Sequence, residues 1–330
     1  MRPASFGSER LSIIDLDEAG DLIDPGTGAP VDPSNVTRFL SRHLDVADAT
    51  DIVVFVHGWR TSRARASTNA ARMFELLARQ YQAGHDRYPG LAAWRPYGVV
   101  VRWPSTSGPF LRGYRRIRDR AHAMATTGHA TTVLSRLLGY LNDRRTPPGT
   151  PPTLQTAGGQ YLHCVAHSFG GRLIIEAVQA AANERPTLLG WSRSTPGYPY
   201  TVDSLVVFQM AASPAIFHDR FARILTNAPI KGPVTLTHSR ADRATGIWHR
   251  LAENTPGIGY AGVADVAGAR SVALHATDVR YALSELDAVL VNVDANAYFR
   301  KRGLRPEGAH SDIWRPESAH LVLSLAAHSR

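Results

Sequence analysis

Short apolar segments alternate with longer helix-like ones along most of this chain. Five of the apolar segments are rich in β-branched residues and bounded by turn residues, which predicts β-strands. They are Asp51–Val56, Tyr97–Trp103, Tyr161–Ala166, Ser204–Met210 and Val234–His238, with a sixth expected at Val272–Val279. Their apolar character is nearly continuous, which is typical of strands buried on both faces of a parallel sheet.

Helices are predicted between and after these strands. In Thr68–Tyr81 the apolar residues recur every three to four positions, and Gly171–Ala182 is apolar and rich in alanine. Further helices are predicted at Leu111–Asn142, Pro214–Leu225 and Pro316–Ala327. Strands that alternate with helices predict an α/β fold, a doubly wound and mostly parallel sheet flanked by helices.

The start of the chain differs from this pattern. Leu11–Ile14 and Leu22–Ile23 flank a DEAGD turn and predict an antiparallel hairpin within the lead-in 1–50. We expect one domain over 1–330 rather than two. The interval between Met210 and Val234 is too short for a large lid domain, so any flap over a site is expected from 104–142 or from Ile247–Ala267.

Composition narrows the class of protein. Hydrophobic residues make up 44% and charged residues 20%, as in soluble globular enzymes. The sequence contains neither a secretory signal core nor an apolar run of about 18 residues, so we expect no membrane span and a cytoplasmic protein. The one cysteine, Cys164, excludes a disulfide framework and cysteine-based zinc modules.

The net charge of +9 at first indicates a polyanionic partner. All but two of the 37 basic residues are arginine, however, and a GC-rich genome produces the same surplus. No nucleic-acid motif accompanies the charge, so we expect no nucleic-acid partner. The densest run, Arg112–Arg120, has two interpretations: a solvated helix face, or an anion-recognising flap beside a site.

Candidate chemistry is concentrated in Tyr161–Gly171. There a strand runs directly into Ala166-His167-Ser168-Phe169-Gly170 and then into a helix. This is the pattern of a nucleophile elbow, a turn so tight that the residues two before and two after the serine must be small. Ala166 and Gly170 meet that requirement, and Ser168 is therefore the candidate nucleophile.

A second motif lies at Asp51–Trp59, where a strand ends in His57 and Gly58. Gly58 lets the backbone turn so that the N–H of Trp59 can point at a substrate oxygen. With the N–H of Phe169 it predicts a two-donor oxyanion hole. We place His57 and Gly58 beside the substrate, with His57 bracing the loop rather than acting as a base.

With Arg102-Trp103-Pro104-Ser105, these motifs resemble the alpha/beta hydrolase superfamily of serine esterases, lipases and thioesterases, and within it a bacterial branch of largely unassigned function. The resemblance implies a triad in the order serine, acid, histidine. Asp242, four residues after a predicted strand, takes the position of the acid. His310, in the loop before the last helix, takes that of the base.

The resemblance therefore implies a serine hydrolase that cleaves a carboxylic ester through an acyl-enzyme, with a small-molecule acyl ester as substrate and no cofactor or metal. Phe110, Trp248 and Trp314, together with Trp59 and Phe169, are candidates for an apolar acyl pocket. Two alternatives remain open. One is a thioesterase or acyltransferase acting on a carrier-bound acyl group, and the other is a non-catalytic binding protein on the same scaffold.

Overall fold

A computed structural model describes residues 10–46, 48–91, 94–144, 160–183, 202–226, 230–300 and 305–330. Nine strands form one sheet: β1 (Leu11–Leu16), β2 (Leu22–Ile23), β3 (Asp51–Val56), β4 (Pro96–Arg102), β5 (Tyr161–His167), β6 (Ser204–Phe208), β7 (Val234–His238), β8 (Ala269–Ala273) and β9 (Leu290–Asp294). The helices in the described ranges are α1 (Val36–His43), α2 (Arg63–Gly84), α3 (Leu111–Thr126), α4 (Ala130–Arg144), α5 (Phe169–Asn183), α6 (Ala222–Thr226), α7 (His249–Glu253), α8 (Ile258–Ala261), α9 (Leu283–Leu286) and α10 (Pro316–His328).

The strand order is β2-β1-β4-β3-β5-β6-β7-β9-β8. Every neighbouring pair is parallel except β1 and β2, which form the antiparallel hairpin at one edge. In the centre, Val54 of β3 lies opposite both Val99 of β4 and Cys164 of β5. The predicted doubly wound, mostly parallel sheet with an N-terminal hairpin is confirmed.

The two faces of the sheet are covered by different helices, which explains the continuous apolar strands. In β3, Ile52, Val54 and Val56 pack into the core that also contains apolar residues of α1, α3, α4 and α5. Val53 and Phe55 point the other way, into the core beneath α2 and α10. Since both faces are covered, both sets of alternating side chains must be apolar.

Near the end of the sheet, one predicted strand is misplaced and another strand was missed. The strand expected at Val272–Val279 lies earlier, at β8, and β9 was not predicted. β8 is a largely exposed edge strand, so burial does not impose an apolar pattern on it. β9 carries Asn292 between buried valines, which interrupts the apolar run that predicted the other strands.

Two predicted helices also differ from the structure. The stretch Leu111–Asn142 is broken into α3 and α4. Between them, the hairpin turn packs so closely against Gly128 that a β-carbon there would overlap the Ala19 carbonyl oxygen. In Pro214–Leu225, successive turns extend to Phe221, and only α6 is helical. The buried Phe217 and Phe221 have helical spacing but belong to turns.

Candidate active site

Ser168 lies at the corner where β5 meets α5. Its φ of +57° is in the left-handed region, which a residue with a side chain adopts at a cost. The turn is held by the Ser168 N–H, which donates to the Phe208 carbonyl at 2.9 Å. A β-carbon on Gly170 would lie 2.6 Å from the Val56 carbonyl oxygen, so only glycine fits there. The glycine predicted two residues after Ser168 is thus explained by contact with the end of β3.

The structure brings the three predicted triad residues together. His310 Nε2 lies 2.8 Å from Ser168 Oγ, and His310 Nδ1 lies 2.8 Å from the Asp242 carboxylate. All three side chains are buried, although His310 follows Ser168 by 142 residues and Asp242 by 68. The arrangement has the geometry in which a histidine takes a proton from a serine while a carboxylate orients the ring.

Asp242 is held by groups that the sequence did not identify. One carboxylate oxygen accepts from the Thr245 N–H at 3.0 Å, and the other accepts from the Gln209 amide at 3.1 Å. Gln209 directly follows β6, and its φ of +49° turns the chain at the strand end. Its one sequence signal is a polar residue placed immediately after a buried strand.

The loops that carry the acid and the base are joined directly. The Ala309 N–H donates to the Ala241 carbonyl at 2.8 Å, next to an antiparallel bridge between Asp242 and Gly308. Gly308 has a φ of +60°, and a β-carbon there would overlap the Ala241 carbonyl oxygen. This backbone pairing fixes the separation of Asp242 and His310.

His167, inside the elbow motif, also contributes. Its Nε2 lies 2.8 Å from the His310 carbonyl oxygen and donates to it, and the two rings lie 4.7 Å apart between centroids. Burial, with His310 nearby, holds the pKa of His167 well below its ordinary value, so the ring is neutral. No local pattern in the sequence indicates this contact, since the partner of His167 is 143 residues away.

The two predicted oxyanion donors flank the serine. A β-carbon on Gly58 would lie 2.8 Å from Ser168 Cβ, so the backbone that leads into Trp59 touches the elbow. Within the described part of the chain, the N–H groups of Trp59 and Phe169 have no protein acceptor. Both donors are therefore available to a substrate oxygen.

The Arg102-Trp103-Pro104-Ser105 segment braces this loop. The Trp103 indole donates to the His57 carbonyl at 2.7 Å, and the Trp103 N–H donates to His57 Nε2 at 3.2 Å. Ser105 Oγ lies 2.8 Å from the Gly58 carbonyl oxygen. Burial lowers the pKa of His57 to about 4, which keeps the ring neutral and able to accept. The geometry favours a bracing role for His57 over contact with substrate.

Tyr114, which the sequence did not single out, packs against both of the residues predicted to supply oxyanion donors. Its ring centroid lies 5.3 Å from that of Trp59 and 5.1 Å from that of Phe169. Its hydroxyl lies 2.8 Å from Nδ1 of His249. Burial, with Arg172 and Arg118 nearby, lowers the pKa of His249 to about 3, so this pair is also uncharged.

A cavity of about 620 Å³ opens beside His310. Trp59 and Trp314 line it, and most of its other lining residues are polar or charged. Phe110 and Trp248 line no part of it: Phe110 is 59% exposed and packs edge-on against Trp248. Of the residues proposed for an apolar pocket, this cavity brings together only the two tryptophans, since Phe169 is buried behind the elbow.

The arginine run on α3 is partly used within the protein. Arg115 and Arg118 donate to the carbonyl oxygens of Leu251 and Ala252 at the end of α7, at 2.9 and 2.8 Å. Arg120 donates to the Pro104 carbonyl at 2.9 Å. These contacts fasten α3 to its neighbours, a role that neither sequence-based interpretation included.

A second serine–histidine–aspartate chain lies at the opposite edge of the sheet. His163 Nδ1 is 2.8 Å from Ser204 Oγ, and its Nε2 is 2.9 Å from Asp51. All three are buried at or near the amino ends of β3, β5 and β6, and Arg330 pairs with Asp51 at 2.8 Å. Ligands of open parallel sheets bind at the carboxyl ends, where Ser168 lies. This second chain is a structural contact.

The structure also bears on metal binding and on membrane insertion. Among the described residues, no three histidine, cysteine, aspartate or glutamate side chains are grouped closely enough to hold a metal ion. No helix in the described ranges is both long and apolar enough to cross a bilayer.

Comparison with known proteins agrees with the fold. Residues 32–290 match the family described as alpha/beta hydrolase of unknown function (DUF900). The chain belongs to this family. The matched region contains Ser168, Asp242 and the proposed oxyanion residues, and it ends before His310. Membership establishes the hydrolase fold of the chain and leaves its substrate open.

One solved structure is similar to part of the chain. Phospholipase PlaB from Legionella pneumophila shares 18% identity with a TM-score of 0.24, over 55% of this chain and 31% of that one. The chain thus spans less than a third of that relative's length. No curated protein matches the chain.

Proposed function

We propose that this alpha/beta hydrolase is a serine hydrolase that cleaves a carboxylic ester, with Ser168, His310 and Asp242 as its triad. The observation that carries the proposal is the continuous hydrogen-bonded chain from Ser168 Oγ through both ring nitrogens of His310 to Asp242, with both steps at 2.8 Å. It lies at the carboxyl edge of the sheet, next to two unused N–H donors and a cavity.

The first half-reaction forms an acyl-enzyme. Ser168 Oγ attacks the ester carbonyl carbon as His310 Nε2 takes the hydroxyl proton, and the carbonyl electron pair moves to the oxygen. The N–H groups of Trp59 and Phe169 hold this oxyanion, and each donor contributes about 3 kcal/mol where such donors have been measured. Collapse breaks the bond to the alcohol oxygen, which leaves with the proton from His310.

The second half-reaction releases the acid. Water gives a proton to His310 Nε2 while its oxygen attacks the acyl carbon, and Ser168 leaves with the returned proton. Asp242 holds the imidazole in the tautomer that presents Nε2 to the serine and stabilises the imidazolium. Thr245 and Gln209 keep the carboxylate in place throughout.

Turnover of 4-nitrophenyl acyl esters of increasing chain length tests the proposal. We expect Ser168→Ala to lower kcat by more than about 10⁴-fold with the fold intact, because the attacking oxygen is gone. A fluorophosphonate probe should label wild type and fail to label Ser168→Ala. A wild-type protein that neither reacts with the probe nor turns over any ester would be the non-catalytic binding protein.

Acyl-CoA thioesters of the same chain lengths form a separate arm. Their hydrolysis at a kcat/KM well above that of the matched oxygen esters would assign the site to a thioesterase with the same triad. Similar or lower values would keep the carboxylic ester as the substrate class.

A further inference from the structure

The cavity beside His310 carries an excess of positive charge. Three arginines line it, Arg60, Arg65 and Arg305, against a single carboxylate, Glu307. Arg60 Nη1 pairs with Glu307 at 3.2 Å. Arg65 and Arg305 are exposed and pair with no acidic side chain among the described residues. Two guanidinium groups thus face the cavity without a counter-charge.

The backbone adds to this field. The cavity includes the residues that lead into α2, a helix of 22 residues that begins at Arg63. The amino end of a helix carries a partial positive charge, and acidic residues are favoured there. The first turn of α2 contains none, and Arg65 lies in it instead. A positively charged Arg65 at the positive end of the helix is unfavourable by itself. An anion bound there would be attracted by both charges.

A residue with a strained backbone conformation also lines this cavity. Arg60 directly follows the proposed donor Trp59 and has a φ of +59°, an unfavourable conformation for a residue with a β-carbon. This conformation accompanies its ion pair with Glu307, three residues before His310. Backbone strain is common at functional sites, and here it occurs at a residue whose side chain joins the loop of Trp59 to the loop of His310.

We infer that this cavity is a subsite for an anionic group on the substrate, a carboxylate or a phosphate, which Arg65 and Arg305 bind with Arg60 at the rim. The inference rests on the proposed function and gives it a substrate class: an ester with an acidic group on its acyl or alcohol part. Carboxylate and phosphate oxygens both accept the paired N–H donors of a guanidinium group, so either source suits the chemistry.

Matched esters test the inference and separate the two sources. Mono-4-nitrophenyl succinate is compared with 4-nitrophenyl butyrate, which has the same acyl length without the carboxylate. On the alcohol side, 1-butyrylglycerol 3-phosphate is compared with 1-butyrylglycerol. We expect kcat/KM at low salt to be at least about tenfold higher for the anionic member of one pair, and the preference to shrink as salt screens the charges.

Substitutions connect that preference to the arginines. In Arg65→Gln and Arg305→Gln, kcat/KM for the anionic ester should fall several-fold more than for its neutral partner. Arg79→Gln is the matched control, because it removes the same charge from the same helix about 21 Å further along. It should leave the ratio unchanged.

A binding experiment tests the anion subsite even if the protein cleaves no ester. Monomethyl succinate and glycerol 3-phosphate are titrated into Ser168→Ala while tryptophan emission is followed, since Trp59 and Trp314 line the cavity. Saturable binding that Arg65→Gln with Arg305→Gln abolishes, and Arg79→Gln preserves, supports the subsite even if no ester is cleaved. The absence of binding by either anion overturns it.

Failure of the anion subsite can be distinguished from failure of the proposed hydrolase function. If the probe labels Ser168 and anionic and neutral esters are turned over equally, the anion subsite is contradicted while the serine hydrolase is supported. If the protein binds the anions but never reacts with the fluorophosphonate probe, the proposed hydrolase activity is contradicted while the anion subsite is supported.

Discussion

The ring of His167 donates a hydrogen bond to the main-chain carbonyl of His310 at 2.8 Å. The residue immediately before the proposed nucleophile thus holds the loop that carries the proposed base. Because the donor is part of the elbow, any shift of the elbow moves His310 with Ser168. Their separation of 2.8 Å is therefore maintained from the elbow as well as through Asp242.

His167→Ala should lower kcat/KM for a 4-nitrophenyl ester by up to about 10²-fold, because small misplacements of a base have effects of that size. KM should change little, since His167 does not line the described cavity. His167→Gln keeps an N–H donor and should recover part of the rate. Equal losses in the two variants would mean that the ring matters only for packing.

Much of this site could be predicted from the sequence because its signals are local. The elbow requires small residues at fixed offsets from Ser168, and the requirement arises from contacts within one turn. Asp242 and His310 followed from the order of residues in the superfamily. The bonds from His167, Gln209 and Tyr114 join residues 143, 33 and 135 positions apart, and no local pattern indicates such pairs.

The same distinction explains the errors in the fold. Buried central strands can be recognised in the sequence by their continuous apolar residues, whereas β8 is exposed at the sheet edge and has no such pattern. At the break between α3 and α4, Gly128 packs against Ala19, more than a hundred residues away, and no local pattern indicates that contact. The cavity could not be predicted because its arginines come from separate loops and helices.

Asp242→Asn should lower kcat by about 10⁴-fold while leaving the protein folded, because the amide favours the wrong tautomer of His310. Asp312→Asn is the matched control: Asp312 lies two residues from His310 but pairs with Arg315 at 2.8 Å. Steady-state rates with one ester are sufficient for the comparison. If Asp312→Asn were the more damaged variant, the acid would have been misassigned.

Gly170→Ala should destabilise the fold by roughly 1–3 kcal/mol or more, the usual cost of overpacking a tight site. The added β-carbon would meet the end of β3, including the Val56 carbonyl oxygen at 2.6 Å. Gly108→Ala provides the comparison, since nothing lies within 4 Å of its added carbon. Urea unfolding measures both, and similar midpoints would contradict the close packing of the elbow.

The buried chain of Ser204, His163 and Asp51 predicts selective labelling. Its hydrogen bonds match those of the proposed triad, but Ser204 lies at the amino end of β6, away from the cavity beside His310 and from the proposed oxyanion donors. A fluorophosphonate probe should therefore modify Ser168 alone. Ser204→Ala should keep full labelling and esterase activity. Mass spectrometry of the labelled peptide checks the site, and any adduct on Ser204 would show that this edge is open to reagents.

Stability should fall as the pH drops below about 6.5, because several histidines are buried in the neutral form. Burial lowers the pKa of His57 to about 4 and that of His249 to about 3, from 6.5 in the unfolded chain. The unfolded state therefore binds more protons than the folded state between these values. Each such histidine reduces the free energy of unfolding by up to about 1.4 kcal/mol per pH unit in that window.

Urea unfolding between pH 7.5 and 5 measures this dependence. His249→Gln should flatten the curve, since the amide does not titrate, whatever its effect on stability at pH 7.5. His85→Gln removes a histidine whose side chain is 63% exposed and should leave the slope as in wild type. A wild-type stability that stays constant or rises on acidification would show that these rings are not held neutral in the folded protein.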